Sequence, residues 1–251
     1  MLICWVFSRL NILLTRPLAQ VKSLQALVAG DGHHPILFPT LDIRALDNKP
    51  RHTHYDVVIF ISANAVDYGK KVLSQLNSQT LKIFAVGAAT AKRLQTHGYR
   101  VDGFPEKKAS SEALLAMDAI KRLSDQRILI FRGKGGRETL KQGLGLNNTV
   151  EYVEVYERIE SSLSELHHQS LGEFLSNTQG IVTITSIENL DALLAIGHKI
   201  KHDFVDVIKH YPIVVLSSRI EKYAKSMGFS KCYVAKKTSD QGLIDCIDLI
   251  L

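Results

Sequence analysis

Residues 56–66 read DVVIFISANAV and residues 180–190 read GIVTITSIENL; laid on one another, they place Ser62 over Ser186 at the end of each apolar run. Each run is short, continuous and rich in β-branched residues, which fits a parallel strand covered on both faces, with the small polar residues after it opening a helix. The pairing extends outward. ILLTR at 12–16 resembles ILIFR at 128–132, and IFAVGAATAKRLQTHGY at 83–99 lies over IVVLSSRIEKYAKSMGF at 213–229, matching Gly98 with Gly228 and Tyr99 with Phe229. This weak internal repeat predicts two homologous units.

Ten strands are expected, at 12–15, 36–38, 57–61, 83–86, 101–104, 128–131, 150–155, 181–185, 213–216 and 232–235. Between them, Leu18–Val28 carries apolar residues near helical spacing, Ala88–Thr96 ends at the stop signal His97-Gly98, and Ser110-Ser111-Glu112 opens a further helix. Five strands per unit with crossover helices make an α/β architecture of two flavodoxin-like doubly wound parallel sheets. The repeat alone leaves the partition open: a cut near Leu123–Gln126, or two interleaved units with crossings near Pro39-Thr40-Leu41 and Val155-Tyr156-Glu157.

At 251 residues, 45% apolar and 22% charged, the chain is neither a mini-protein nor a disordered one. The net charge of +6 is spread along the sequence without a basic cluster, which favours a small polyanion over nucleic acid. Cys4, Cys232 and Cys246 form no CxxC pair, so a cytoplasmic setting is expected, with neither zinc nor a disulfide framework. The apolar run Leu2–Phe7 is far short of the ~20 residues that span a bilayer, and no membrane role is expected.

Ligands of open parallel sheets bind beyond the carboxyl ends of the strands. Thr15-Arg16, Ser62-Ala63-Asn64, Gly87 to Thr90, Arg132 to Arg137, Thr185-Ser186 and Ser217-Ser218-Arg219 all follow apolar runs and lead into helices. Singly, such hydroxyls cap helices; together with helix N-termini and arginines they make a rim of donors suited to carboxylates or phosphates. The loop Arg132-Gly-Lys-Gly-Gly-Arg137 lacks phosphate-loop spacing and reads as an ordinary strand-to-helix turn. His33-His34, His167-His168 and His52-x-His54 have no recurrent carboxylate or cysteine partners and read as solvated loop histidines. Nucleophile-elbow and zinc-hydrolase motifs do not occur, and Tyr156, at a strand end, offers a phenol that can act as proton donor or simply pack.

In their order and spacing, LLTRP (13–17), YDVVIFISANAV (55–66), IFAVGAATAKRL (83–94), the helix start at Ser110, RILIFRGKGGRETL (127–140), EVYER (154–158) and ITS (184–186) resemble the uroporphyrinogen-III synthase family. The resemblance spans Ile12 to about Leu249, and the first ten residues extend beyond the family's usual start. It implies the interleaved partition: 1–38 plus 159–251 as one domain, 42–153 as the inserted one, and 39–41 with 154–158 as connector strands. It also implies cyclisation of hydroxymethylbilane, a linear tetrapyrrole with eight carboxylates, with inversion of ring D. Loss of water gives an azafulvene cation, and a spiro-pyrrolenine intermediate fragments and recloses, with no metal or organic cofactor.

By the same resemblance Tyr156 is the candidate catalytic proton donor. Thr15, Arg16, Ser62, Asn64, Thr90, Arg132, Arg137, Thr185, Ser186 and Ser218 are the candidate substrate contacts, Ser218 replacing the threonine of a Gly-Pro-x-Thr segment that this chain lacks. A monomer is expected, supplied by hydroxymethylbilane synthase upstream. Two alternatives stay open: a non-catalytic two-domain sensor closing on an organic polyanion, and, less favoured, a nucleotide-dependent transferase.

Overall fold

The computed structural model describes residues 9–76, 80–176 and 179–250; the apolar run Leu2–Phe7 and Cys4 lie outside them. The chain divides into two units, Ile43–Arg158 and the combination of Met1–Asp42 with Ile159–Leu251, each built on one five-stranded sheet.

The discontinuous unit contains β1 (Asn11–Leu14), β2 (His34–Leu37), β8 (Gly180–Ile184), β9 (Ile213–Val215) and β10 (Cys232–Val234), in spatial order β10-β9-β8-β1-β2 and parallel throughout. Alternate residues of the central strands enter opposite cores. Leu13, Val182, Ile184, Ile213 and Val215 face helices α7 (Glu165–Leu175), α8 (Ile187–Ile200), α9 (Phe204–Ile208) and α10 (Ser218–Ser226). Ile12, Leu14, Ile181 and Val214 face α1 (Leu18–Gly30) and α11 (Asp240–Asp248). Apolar burial on both faces, at ~1.5–3 kcal/mol per large side chain, explains why these strands read as continuous runs.

The continuous unit orders β3 (Leu41–Ala45), β4 (Val57–Phe60), β5 (Lys82–Ala85), β6 (Arg127–Gly133) and β7 (Thr149–Glu160) as β3-β7-β6-β4-β5. Val58, Phe60, Leu129 and Phe131 pack with α2 (Ala63–Leu73) and α3 (Ala88–Thr96). Val57, Ile59, Ile128 and Ile130 pack against α4 (Ser111–Leu115), α5 (Asp118–Lys121) and α6 (Thr139–Leu144).

The repeat matches β1 with β6, β4 with β8 and β5 with β9, and these strands occupy equivalent sheet positions: β2-β1-β8-β9 in one unit and β7-β6-β4-β5 in the other. One unit is therefore a circular permutation of the other along the chain, which is why the first motif of one half recurs so late in the other. The helix ends match as well. Gly98 and Gly228 sit at φ +83° and +96°, a conformation that glycine adopts without strain, and the Tyr99 and Phe229 amides bond back to the Leu94 and Ala224 carbonyls.

The strand expectations are corrected at three places. Residues 101–104 form only an isolated bridge, Phe84 to Gly103, because the Asp102 carboxylate accepts the Ile83 amide at 2.7 Å in place of a strand carbonyl. Leu41–Ala45 is a strand whose period-two alternation was the available signal, and β7 runs on to Glu160, so Tyr156 lies inside a strand rather than at its end.

Candidate functional site

In the discontinuous unit, the carboxyl ends of β1 and β8 are joined through the amide of Asn189, which is 1% exposed. Its oxygen accepts from the Thr15 hydroxyl at 2.6 Å and the Thr185 amide at 3.3 Å. Its nitrogen donates to the Thr15 carbonyl at 2.8 Å and the Thr40 hydroxyl at 2.6 Å. Asn189 and Thr40 were not among the expected site residues, although Asn189 falls one helical turn after Thr185 in the segment that defines the repeat. Its counterpart by the repeat is Ala65, and that of Thr15 is Phe131; both belong to the apolar core of the other unit.

Ser186 caps α8, accepting from the Asn189 amide at 3.1 Å. A capping hydroxyl uses a lone pair and keeps its proton, so capping and donation to a carboxylate are compatible. Arg16 pairs with Asp240 of α11 at 2.5 Å, and Ser218 is exposed in the first turn of α10, whose N-cap Ser217 makes no side-chain cap bond.

The rim of the continuous unit centres on Tyr156. Its hydroxyl lies 3.1 Å from the Ser62 hydroxyl, which also accepts from the Ala65 amide at 3.0 Å and so caps α2. The phenol is 3% exposed, while Ser62 is half-buried. The ring lies against Gly133, where an added Cβ would come within 2.6 Å of it, and the Arg158 guanidinium stands 5.8 Å over its face. Gly133, inside the Arg132-to-Arg137 loop, was not among the expected site residues either; a register shift between Arg132 and Gly133 brings it opposite Tyr156.

Asn64 is half-buried in the first turn of α2, and Thr90 is buried in that of α3, whose N-cap Gly87 provides no side-chain cap. Arg44 on β3 and Lys134, just past β6, pair with Glu157 on β7 and hold its carboxyl below the usual glutamate range.

Three expectations are corrected by burial. Thr15 is fully buried and its hydroxyl is committed to Asn189 and the Thr183 carbonyl; it builds the rim rather than facing a ligand. Arg132 is 2% exposed, stacked 4.3 Å over Tyr152 and paired with Glu138 at 3.0 Å. The histidine pairs are not uniformly solvated: His167 is buried, bridging Ser164 and the Pro39 carbonyl, and His33 is buried as well. Arg137 is exposed and pairs with Glu112 at 2.6 Å.

The family model described as uroporphyrinogen-III synthase HemD matches residues 22–245. The chain belongs to the uroporphyrinogen-III synthase family. The uroporphyrinogen-III synthase of Escherichia coli (strain K12) is 24% identical over 94% of this chain and 98% of its own length. That of Proteus mirabilis is 31% identical over 60% of this chain and 81% of its own length. Among solved structures, the uroporphyrinogen-III synthetase of Helicobacter pylori 26695 superposes with a TM-score of 0.67 at 17% identity, covering 96% of this chain and 100% of that one, and so shares the fold. The family is one of cyclising lyases of tetrapyrrole and haem biosynthesis. No described helix is long and apolar enough to cross a membrane.

Proposed function

We propose that this chain closes hydroxymethylbilane to uroporphyrinogen III with inversion of ring D, and that Tyr156 starts the reaction through Ser62. The observation that carries this reading is the 3.1 Å contact between the two hydroxyls, one buried and the other half-buried, in a chain of the synthase family. The Ser62 oxygen can accept from both the Ala65 amide and the phenol while its own proton points outward. As the hydroxymethyl C–O bond breaks, the Ser62 proton passes to the departing oxygen, the phenol proton replaces it, and water leaves the azafulvene cation. Arg158 over the ring complements the negative charge developing on the phenol. The substituted carbon of ring D then attacks, and the spiro intermediate fragments and recloses.

Arg16, Asn64, Thr90, Arg137, Thr185, Ser186 and Ser218 are the remaining contacts for substrate carboxylates, supported by their places after parallel strands. Positioning a flexible polyanion supplies most of the advantage over spontaneous closure. We further infer that both units are flavodoxin-like, since the discontinuous unit reads 2-1-3-4-5 in its own strand order, and that β3 and β7 form the connector. The protein is proposed to act as a cytoplasmic monomer fed by hydroxymethylbilane synthase.

The test is the isomer ratio: purified protein given hydroxymethylbilane without added metal yields type III uroporphyrinogen. Type I product alone, as from spontaneous closure, refutes the synthase reading, and binding without a change of isomer favours the polyanion sensor.

A further inference from the structure

We propose that Asp31, His33 and Asp248 form a binding site for a divalent transition-metal ion of the Zn2+ class, at the end of the discontinuous unit's sheet opposite the rim. One ring nitrogen of His33 and one carboxylate oxygen from each aspartate all lie within 4.8 Å of one another. His33 is 4% exposed, and its Nδ1 is buried without a hydrogen-bond partner. A buried imidazole nitrogen lacking an acceptor or donor costs roughly 1–3 kcal/mol, and a metal ion taken up by this ring, one nitrogen of which stands within 4.8 Å of both carboxylates, would offset that cost.

The backbone fixes the imidazole. Asp31 is the C-cap of α1, and the helix closes with His33 N bonded to the Val28 carbonyl and Gly32 N to the Ala29 carbonyl, both at 3.1 Å. Asp248 is the last residue of α11, which packs on α1. Both carboxylates therefore sit at the negative ends of helices, where an anion is disfavoured. Their side chains are in hydrogen-bond contact with each other, and no lysine or arginine among the described residues forms an ion pair with either. A cation between them would replace the proton that two carboxyl groups in hydrogen-bond contact otherwise share.

The donor set selects the ion. Imidazole with two carboxylates suits Zn2+ and similar borderline metals, whereas Mg2+ prefers oxygen ligands in octahedral geometry. Tetrahedral Zn2+ with bonds of ~2.1 Å spaces its ligands about 3.4 Å apart, and the two exposed aspartates can close on the fixed imidazole by rotamer changes, leaving one position for water. Such an ion ties the last helix to the first. The sequence concealed the site because Asp248 lies more than two hundred positions beyond His33.

The test uses the full-length, metal-free protein titrated with ZnCl2 and, in parallel, MgCl2. Zn2+ binds one to one and raises the unfolding midpoint by roughly 5 °C at a hundredfold excess over its Kd, while Mg2+ has no effect at the same concentration. Asp248→Asn, a surface change, abolishes the Zn2+ shift and, without metal, unfolds no lower than the wild type; His33→Gln weakens Zn2+ binding at least tenfold. Synthase turnover stays at the wild-type level in Asp248→Asn. Absence of a Zn2+ shift in the wild type overturns the proposal. So does a shift that survives both substitutions, which would place the ion elsewhere, such as the neighbouring His198 and His202 rings.

Discussion

Replacing Asn189 with alanine removes the one side chain that joins Thr15, Thr40 and Thr185. Of the hydrogen bonds it makes, the bond from the Thr185 amide has no alternative acceptor, while the Thr15 hydroxyl keeps the Thr183 carbonyl and the Thr15 carbonyl keeps the Thr40 amide. Losing bonds whose partners stay satisfied costs about 1 kcal/mol or less each, and stranding a partly buried amide costs about 1–3 kcal/mol. The sum is about 3 kcal/mol, or roughly 6–12 °C in the unfolding midpoint. Ser186→Ala serves as the reference, because it removes only a cap worth about 1 kcal/mol.

Urea titration followed by far-ultraviolet circular dichroism compares both variants with the wild type. Asn189→Asp adds a second constraint: it sets a carboxylate oxygen against the Thr15 carbonyl, now 2.8 Å from the amide nitrogen, and should be at least as severe as alanine. An alanine variant no less stable than Ser186→Ala would refute the claim that this amide builds the rim. A milder aspartate variant would show that the amide is oriented the other way.

Tyr156→Phe is expected to lower kcat about a hundredfold with little change in KM, and Ser62→Ala to lower it similarly, the double variant losing little more because both act on one proton; stopped-flow product analysis reads the split. Gly133→Ala pushes the Tyr156 ring away from Ser62, since the added methyl would meet the far end of the phenol, so turnover falls while the circular dichroism spectrum is retained. Burial, and then the hydrogen bond to Glu151, raise the Tyr55 pKa above the ordinary tyrosine value. The stability this contributes is therefore full below about pH 10 and is lost as pH rises toward the folded pKa. Wild type should lose stability above pH 10 more steeply than Tyr55→Phe, as urea midpoints across that range will show.

Strand interiors were legible because parallel strands buried on both faces leave unbroken apolar runs, and Val57–Phe60 and Gly180–Ile184 are of that kind. Residues 101–104 misled because Val101 and Phe104 look like a strand, whereas a side chain, Asp102, supplies the bond that a strand would have made. At the site, the residues after each strand were legible as a group, but their division of labour was not. Thr15 and Arg16 are adjacent in sequence, yet one is sealed into a network with Asn189, 174 positions on, and the other reaches α11. Burial of a polar side chain depends on which distant partner arrives, and pattern in one segment carries no record of that.

The permuted repeat explains where the two units part company. Both place a serine after the matched strands β4 and β8, and both use it to cap a helix, with the same extended backbone at Ser62 and Ser186. The difference lies one turn on and one strand across: Ala65 with Phe131 fills the corner with apolar side chains, while Asn189 with Thr15 fills it with a satisfied polar network. The apolar corner leaves Ser62 to bond outward to Tyr156 on β7, and the polar one locks its rim to Thr40 at the chain crossing. One scaffold thus yields a unit whose capping serine meets a buried phenol and another whose capping serine adjoins a buried asparagine. That asymmetry, rather than the shared fold, is why the proposed proton transfer is placed in Ile43–Arg158.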